Sequence, residues 1–454
     1  DIYIHPDING YNTMSFYSEA VDTLIKRGEK AALEKLSQLK AYSCPEYHDT
    51  ILPKISNPVF TINDITIVGQ KKYSPTYIRQ KLGIEIGKPF TLDRLKYGIK
   101  CLYATNDYEY ISFRFIEKDV LEIFCKERRI NMINIGINYE SGTSASVLLN
   151  YTYKNLLFNG DLLSVDAKLS NYPGLKASYV LDKGAIPAPH IMFQYNNLRL
   201  NFYKNGKRTG NSLLNFGTLE LGIHSTGYNL FTVGLATNLE FFDHYDIVNY
   251  TDTTLKSSTK IYYNYKFYAM YDSRNSSAIP SSGSKFYTCL KLYTDNFLTM
   301  DNQIPLVNFM LKHDGYIKIS KHFTFTHNVT TRLFFTQTTP PDLILSFTGG
   351  DYKPDFYEYY IPFYGLRFLE VISKDVASLM MGIRYQVSKR NFISFYSNGA
   401  TTSNSLFIKE DREFIGGCGI EYTYNSILGP MSYTLSYSNA SKTLLTYISL
   451  GYRF

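Results

Sequence analysis

Tryptophan is absent from the 454 residues, although tyrosine (42) and phenylalanine (30) are abundant. There is also no run of eighteen apolar residues, which excludes a transmembrane helix. Charged residues make up only 19% and the net charge is +7, a balance too mild to point to a nucleic-acid partner. The five cysteines (Cys44, Cys101, Cys125, Cys289, Cys418) are odd in number, scattered and without a Cys-x-x-Cys spacing. Neither a zinc site nor a disulfide framework is expected from them. The eight histidines (His5, His48, His190, His224, His244, His313, His322, His327) show no paired spacing inside an acidic cluster, so no metal ligand and no cofactor is expected. The chain opens at Asp1 with neither Met nor a charged-then-apolar leader.

What the chain does have is a two-residue rhythm. At the C-terminus Leu444, Thr446, Ile448, Leu450, Tyr452 and Phe454 alternate with Leu445, Tyr447, Ser449, Gly451 and Arg453. The same alternation joins Ile133, Ile135, Ile137 and Tyr139, then Val147, Leu149, Tyr151 and Tyr153, then Ile261, Tyr263, Tyr265 and Phe267. About sixteen such segments follow residue 130. A strand with one apolar face and one mixed face suits a sheet standing between lipid and a polar lumen. In lipid every backbone N–H and C=O needs a partner, so the sheet must close on itself. Gaps alternate between short turns, such as Ser388-Lys389-Arg390-Asn391 and Ser320-Lys321-His322, and longer loops, the longest at 337–375. A soluble, tyrosine-rich all-β protein is the plain alternative.

Two other rhythms precede this region. In residues 1–45, positions 1–4 read as a strand, and Val21, Leu24, Ile25, Gly28, Ala32 and Leu36 form a helical stripe that needs covering. That is too little to fold alone and reads as the end of a larger α/β domain. In residues 57–128 a strand at 60–68 precedes a helix at 75–82 ended by Gly83. Thr91 then caps a helix carrying Leu92, Leu95, Ile99 and Leu102. Ile111, Phe113 and Phe115, then Leu121, Ile123 and Cys125, complete a β-α-α-β-β module. The predicted fold is therefore mainly β: a 16-stranded transmembrane antiparallel barrel at 130–454 after a small α+β module and a short α/β remnant.

The module resembles a POTRA domain. The remainder resembles the BamA-type outer-membrane barrel superfamily, through Tyr271-Asp272-Ser273-Arg274 with Ile279-Pro280-Ser281-Ser282-Gly283, Thr348-Gly349-Gly350, Leu428-Gly429-Pro430 and Gly451-Tyr452-Arg453-Phe454. The opening, Asp1-Ile2-Tyr3-Ile4-His5-Pro6-Asp7-Ile8-Asn9-Gly10-Tyr11, is similar to the end of a patatin-like phospholipase domain. This order of parts is that of the fused outer-membrane patatin-like proteins. It implies a barrel that anchors, and as a further expectation translocates, a serine lipid acyl hydrolase domain upstream. The alternative is a BamA-like insertase opening between its first strand (130–139) and last strand (444–454). No catalytic residue is expected here: Gly142-Thr143-Ser144-Ala145-Ser146 lacks the final Gly of a nucleophile elbow, and Asp314-Gly315 runs on to Tyr316.

The resemblance also implies a bacterial outer-membrane location with the N-terminus and POTRA module periplasmic, so Asp1 reads as a processed or internal start. Expected partners are outer-membrane lipids and lipopolysaccharide, the assembly machinery during insertion, and membrane or periplasmic proteins, a homodimer included. Lys204, Lys207 and Arg208 are candidates for lipopolysaccharide contact or a solvated loop. The long loop carries Tyr359, Tyr360, Phe363, Tyr364 and Gly365, expected to plug the lumen. The superfamily's loop tip has Arg before its Gly; here Tyr364 precedes Gly365, and the strand at 391–398 lacks the usual acidic receiver. Gly416-Gly417-Cys418-Gly419 lies in a strand pattern and reads as a kink or as close packing against the plug. Ile448, Leu450, Tyr452 and Phe454 form the expected C-terminal barrel signal.

Overall fold

The fold is that of a computed structural model describing residues 2–11, 18–40, 58–71, 73–105, 107–116, 119–128, 131–142, 144–158, 160–182, 187–204, 207–227, 230–249, 258–335, 344–350, 358–403 and 411–451. Contacts divide the chain into two units, Asp1–Pro58 and Val59–Phe454. Among the described residues no helix is long and apolar enough to cross a membrane.

In the first unit, helices α1 (Ser18–Glu34) and α2 (Leu36–Lys40) follow an irregular opening. Residues 2–4, expected as a strand, are not in one. Tyr3 is 78% exposed, and no described strand of this unit lies beside it to complete the hydrogen bonds a strand needs. Arg27 holds the opening loop instead, donating to the Asp7 and Asn9 carbonyls at 3.1 and 3.0 Å. The apolar stripe of α1 leaves Val21 and Ile25 exposed.

The second unit begins with the module: β1 (Val59–Phe60), β2 (Asp64–Val68), α3 (Pro75–Leu82), β3 (Phe90–Thr91), α4 (Leu92–Ala104), β4 (Tyr108–Ile116) and β5 (Val120–Glu127). Its main sheet runs β2-β5-β4, with β2 parallel and β4 antiparallel to β5. Ser74 and Thr91 cap α3 and α4 by accepting from the Tyr77 and Arg94 amides, and Gly83 ends α3 at φ 64. Ile65, Ile78, Leu82, Leu95, Leu102, Leu121 and Ile123 meet in one core between sheet and helices. Burial, and then the Glu127 charge, push the Cys125 thiol there up to about 11.

A closed barrel follows. Its strands are β6 (Asn131–Glu140), β7 (Ser144–Lys154), β8 (Asp161–Ser170), β9 (Gly174–Leu181), β10 (Ala188–Lys204), β11 (Lys207–Gly227), β12 (Phe231–Asn249), β13 (Ser258–Asp272), β14 (Gly283–Thr294), β15 (Leu306–Lys318), β16 (Phe323–Phe335), β20 (Asp375–Gln386), β21 (Asn391–Ser403), β22 (Glu413–Ser426), β23 (Gly429–Ser438) and β24 (Leu445–Leu450). These are the sixteen antiparallel strands that the alternation predicts. Each pairs with its sequence neighbour, and β24 returns to β6. Outward positions such as Ile133, Ile135, Ile261, Phe267, Ile383 and Ile448 are exposed, whereas inward Asn264, Asn308, Ser394 and Thr434 are buried. An apolar outside with a polar inside is the reverse of a water-soluble sheet and fits a lipid surround.

The module packs on the barrel end where β7 and β9 finish. Lys154 at the end of β7 donates to Asp107, and Lys81 of α3 meets Asp182 at 2.9 Å. Asp107 is 2% exposed and also accepts from the Tyr73 and Tyr77 hydroxyls, each at 2.9 Å. Burial first, and the Asp107 charge next, raise both phenols above their ordinary range, so both remain donors. Asp107→Ala leaves Lys154 without its carboxylate and should cost about 3–5 kcal/mol. Faster hydrogen exchange across α3 and β4 would register that loss; unchanged protection would contradict it.

Candidate functional site

Between β16 and β20 the chain leaves the wall and forms β17 (Ser346–Thr348), β18 (Tyr360–Ile361) and β19 (Val371–Ser373), a small sheet in the order β18-β17-β19. Described side chains of this excursion meet inward positions on both sides of the barrel, so these residues lie within the lumen.

One end of it is held by charge. The Glu358 carboxylate lies 2.6 Å from the Lys291 amine and accepts from the Tyr287 hydroxyl at 2.5 Å. Lys291 also reaches Glu240 at 2.9 Å. The Tyr359 hydroxyl donates to Glu240 at 2.5 Å and lies 2.7 Å from that of Tyr293. Arg332, 1% exposed, stacks on the Tyr359 ring at 4.2 Å, and Lys312 donates to the Glu358 and Tyr360 carbonyls. Thus β12, β14, β15 and β16 all grip residues 358–360.

The other end is held by shape and by hydrogen bonds that, apart from one from Tyr364 to Glu421, join neutral groups. Thr348-Gly349-Gly350 cradles the tip: Gly349 and Gly350 sit at φ 135 and 89, and their amides donate to the Ile361 and Leu366 carbonyls at 3.0 Å. Phe363 and Leu366 are fully buried against Ala400 and Ile415. A Cβ on Gly365 would fall 2.4 Å from the Tyr437 backbone, and one on Gly417 would fall 2.3 Å from the Tyr364 carbonyl oxygen. Of the two readings of the glycine-rich run, close packing is the one present at Gly417. The Gly365 carbonyl accepts from Ser438 and Ser441 at 2.6 and 2.7 Å, and the Leu366 carbonyl accepts from Tyr447 at 2.9 Å. Tyr359, Tyr360, Phe363, Tyr364 and Gly365 therefore lie together inside the barrel but on two different grips.

The seam between β24 and β6 is short. Its described register is Ser449↔Glu140 and Leu450↔Tyr139, whereas β6 pairs with β7 along all of Asn131–Glu140. Ile448 faces outward and Leu450 lies at the seam; Tyr452 and Phe454 lie outside the described residues. The tip is bonded to β24, one border of this seam, through Tyr447, and to the end of β23 through Ser438. A cavity of about 310 Å³ opens below it, lined by Arg274, Asp314, Arg384, Tyr396 and Glu421. The profile of the OMP85 superfamily matches residues 119–454.

The chain belongs to the OMP85 superfamily. As an OMP85 barrel it is placed in the bacterial outer membrane. Among solved structures it is similar to BamA from Haemophilus ducreyi lacking POTRA domains 1–3, at 14% identity over 86% of this chain and 84% of that one, TM-score 0.59. It is also similar to CdiB from Acinetobacter baumannii, at 11% identity over 96% of this chain and 82% of that one, TM-score 0.57. At these identities the likeness is one of fold. No curated protein matches the sequence.

The tip of this OMP85 barrel differs from the Arg-Gly form of the BamA type. Tyr364 stacks on Tyr396 of β21, with centroids 4.6 Å apart, and its hydroxyl donates to Glu421 of β22 at 3.4 Å. At the position before Gly365 the side chain is thus a phenol, and its carboxylate partner stands on β22. Sequence reasoning missed Glu240, Lys291, Arg332 and Glu358. The signal was there for the strand residues: Glu240 and Lys291 stand mid-strand in the lumen phase, flanked by apolar positions. It also missed that His190 and His224 meet, Nδ1 to Nδ1 at 3.1 Å, with Glu220 on His190. Among the described residues no cluster of three or more metal-ligating side chains forms. The side chains of Lys204 and Lys207 lie outside the description, at the β10–β11 hairpin.

Lys291→Met strands two carboxylates in the lumen and should cost about 3–5 kcal/mol, lowering the temperature of the barrel's gel-mobility shift. Gly417→Val drives a side chain into the Tyr364 carbonyl and should cost about 1–3 kcal/mol. It should also displace the tip, so planar-bilayer conductance should rise well above that of the unaltered protein. Unchanged conductance would mean that the tip does not block the lumen.

Proposed function

We propose that this barrel passes polypeptide across or into the outer membrane by parting its seam, with the lumen loop marking the closed state. The carrying observation is that β24, whose described pairing with β6 is the shortest in the barrel wall, also bonds the loop tip through Tyr447. Opening between β6 and β24 disturbs Tyr447, so the loop senses it. We read the β2-β5-β4 module as one POTRA-like unit on the periplasmic side, its outer strand edges open to strand addition by an incoming client. Neither catalytic residue nor cofactor enters this reading.

A second reading keeps the anchor role for a patatin-like domain. The exposed stripe of α1 favours it, because Val21 and Ile25 sit on a helix that forms a unit apart from the barrel. In that case the barrel holds a lipid acyl hydrolase at the membrane and moves it to the surface.

Pairing Tyr139→Cys with Leu450→Cys places two thiols opposite each other across the seam, within reach of a disulfide. Oxidised protein should fail to replace the native copy in depleted cells, reductant should restore it, and the depleted cells should lose several outer-membrane proteins. Full replacement by the oxidised form would rule out seam parting. An isolated lipid phenotype, with a tagged N-terminal unit reached by external protease, would favour the anchor.

A further inference from the structure

At the barrel end that carries the module, two successive turns carry cations without acids and the next turn carries no charge. The turns β15–β16 and β20–β21 present Lys318, Lys321, Lys389 and Arg390, all exposed, and none of these side chains is in an ion pair with a described residue. No Asp or Glu occurs in residues 315–323, 385–392 or 422–433. Three other cations at this end are matched: Lys154 with Asp107, Lys81 of the module with Asp182, and Arg274 with Asp272 at 2.8 Å.

The three turns are also locked into one platform. The Gln386 amide donates to the His322 carbonyl at 2.8 Å, the His322 ring meets the Gln386 carbonyl at 3.1 Å, and the Asn425 amide donates to the Arg390 carbonyl at 2.8 Å. The exposed apolar row of the barrel wall runs straight into them through Ile317, Ile319, Val387, Ile427 and Leu428. Cations that begin where the greasy band ends stand at the depth of lipid phosphates, with their methylene stems along the acyl boundary.

We propose that Lys318, Lys321, Lys389 and Arg390 form a binding site for the phosphate groups of anionic phospholipids in the adjoining leaflet. The site lies across the barrel mouth from the module's docking contacts. It fixes the barrel's height and tilt on the side opposite that contact. Only the identity of the leaflet rests on the orientation proposed above; the cation–phosphate chemistry is read in discs whose leaflets are alike.

The full chain is placed in nanodiscs of equimolar phosphatidylcholine and phosphatidylglycerol, re-extracted in mild detergent, and its retained lipids are counted by mass spectrometry. Retained phosphatidylglycerol should exceed phosphatidylcholine by about threefold or more, and the excess should shrink at high salt. The variant Lys318→Gln/Lys321→Gln/Lys389→Gln/Arg390→Gln should retain the two equally, with the gel shift showing a folded barrel. If it does not fold, Lys318→Gln/Lys321→Gln alone should lose about half the excess. An unaltered preference in a folded variant, or no preference in the unaltered protein, would overturn the site, the latter assigning the patch to an acidic protein partner.

Discussion

Every other feature of this molecule follows from the need to pair backbone amides where no water can serve them. A sheet edge in hydrocarbon leaves a row of bare donors and acceptors, so the strands continue until β24 meets β6. Closure then imposes two phases on each strand. One phase faces acyl chains and is filled by Ile, Leu, Phe and Tyr. The other faces the lumen, where Asn264, Asn308 and Thr434 are buried yet polar. The seam is the place where this constraint is met with the shortest described register, and it is also where the structure gathers its loop tip.

The lumen phase receives the loop. A barrel interior lined with amides and hydroxyls cannot be sealed by grease, and the loop between β16 and β20 brings polar groups of its own. Glu358 arrives among Lys291 and Tyr287, while Tyr359 joins Glu240 and Tyr293. Lys291 and Glu240 pair within the wall, but Glu358 finds its cation only with the loop in place, so wall and loop stabilise one another. Removing one partner costs more than the pair is worth, because the other remains as an uncompensated buried charge.

The sheet was legible because alternation is a local signal. Each strand states its two faces in eight or ten residues, and Ile133-Asn134-Ile135 needs no context. The module was legible for the same reason: Ser74, Gly83 and Thr91 mark helix ends by their own chemistry. The lumen grip was not, since Glu240, Lys291 and Glu358 come from three distant segments and become neighbours only after closure fixes the shear. The strand expected at residues 2–4 failed because alternation supplies a face but no partner. The Tyr364–Glu421 contact was hidden by looking for an acid on β21, when the receiver sits one strand over.

The two grips on the lumen loop are unlike in strength. Residues 358–360 are tied by ions in a dry place, which yield only at great cost. Residues 363–366 are tied by hydroxyls, amides, one stacked ring pair and the vacant Cα faces of two glycines, none of them an ion pair. Were the seam to part as proposed, the near margin would come free first while the far margin stayed fast. The loop would then swing like a flap on a hinge rather than leave like a cork.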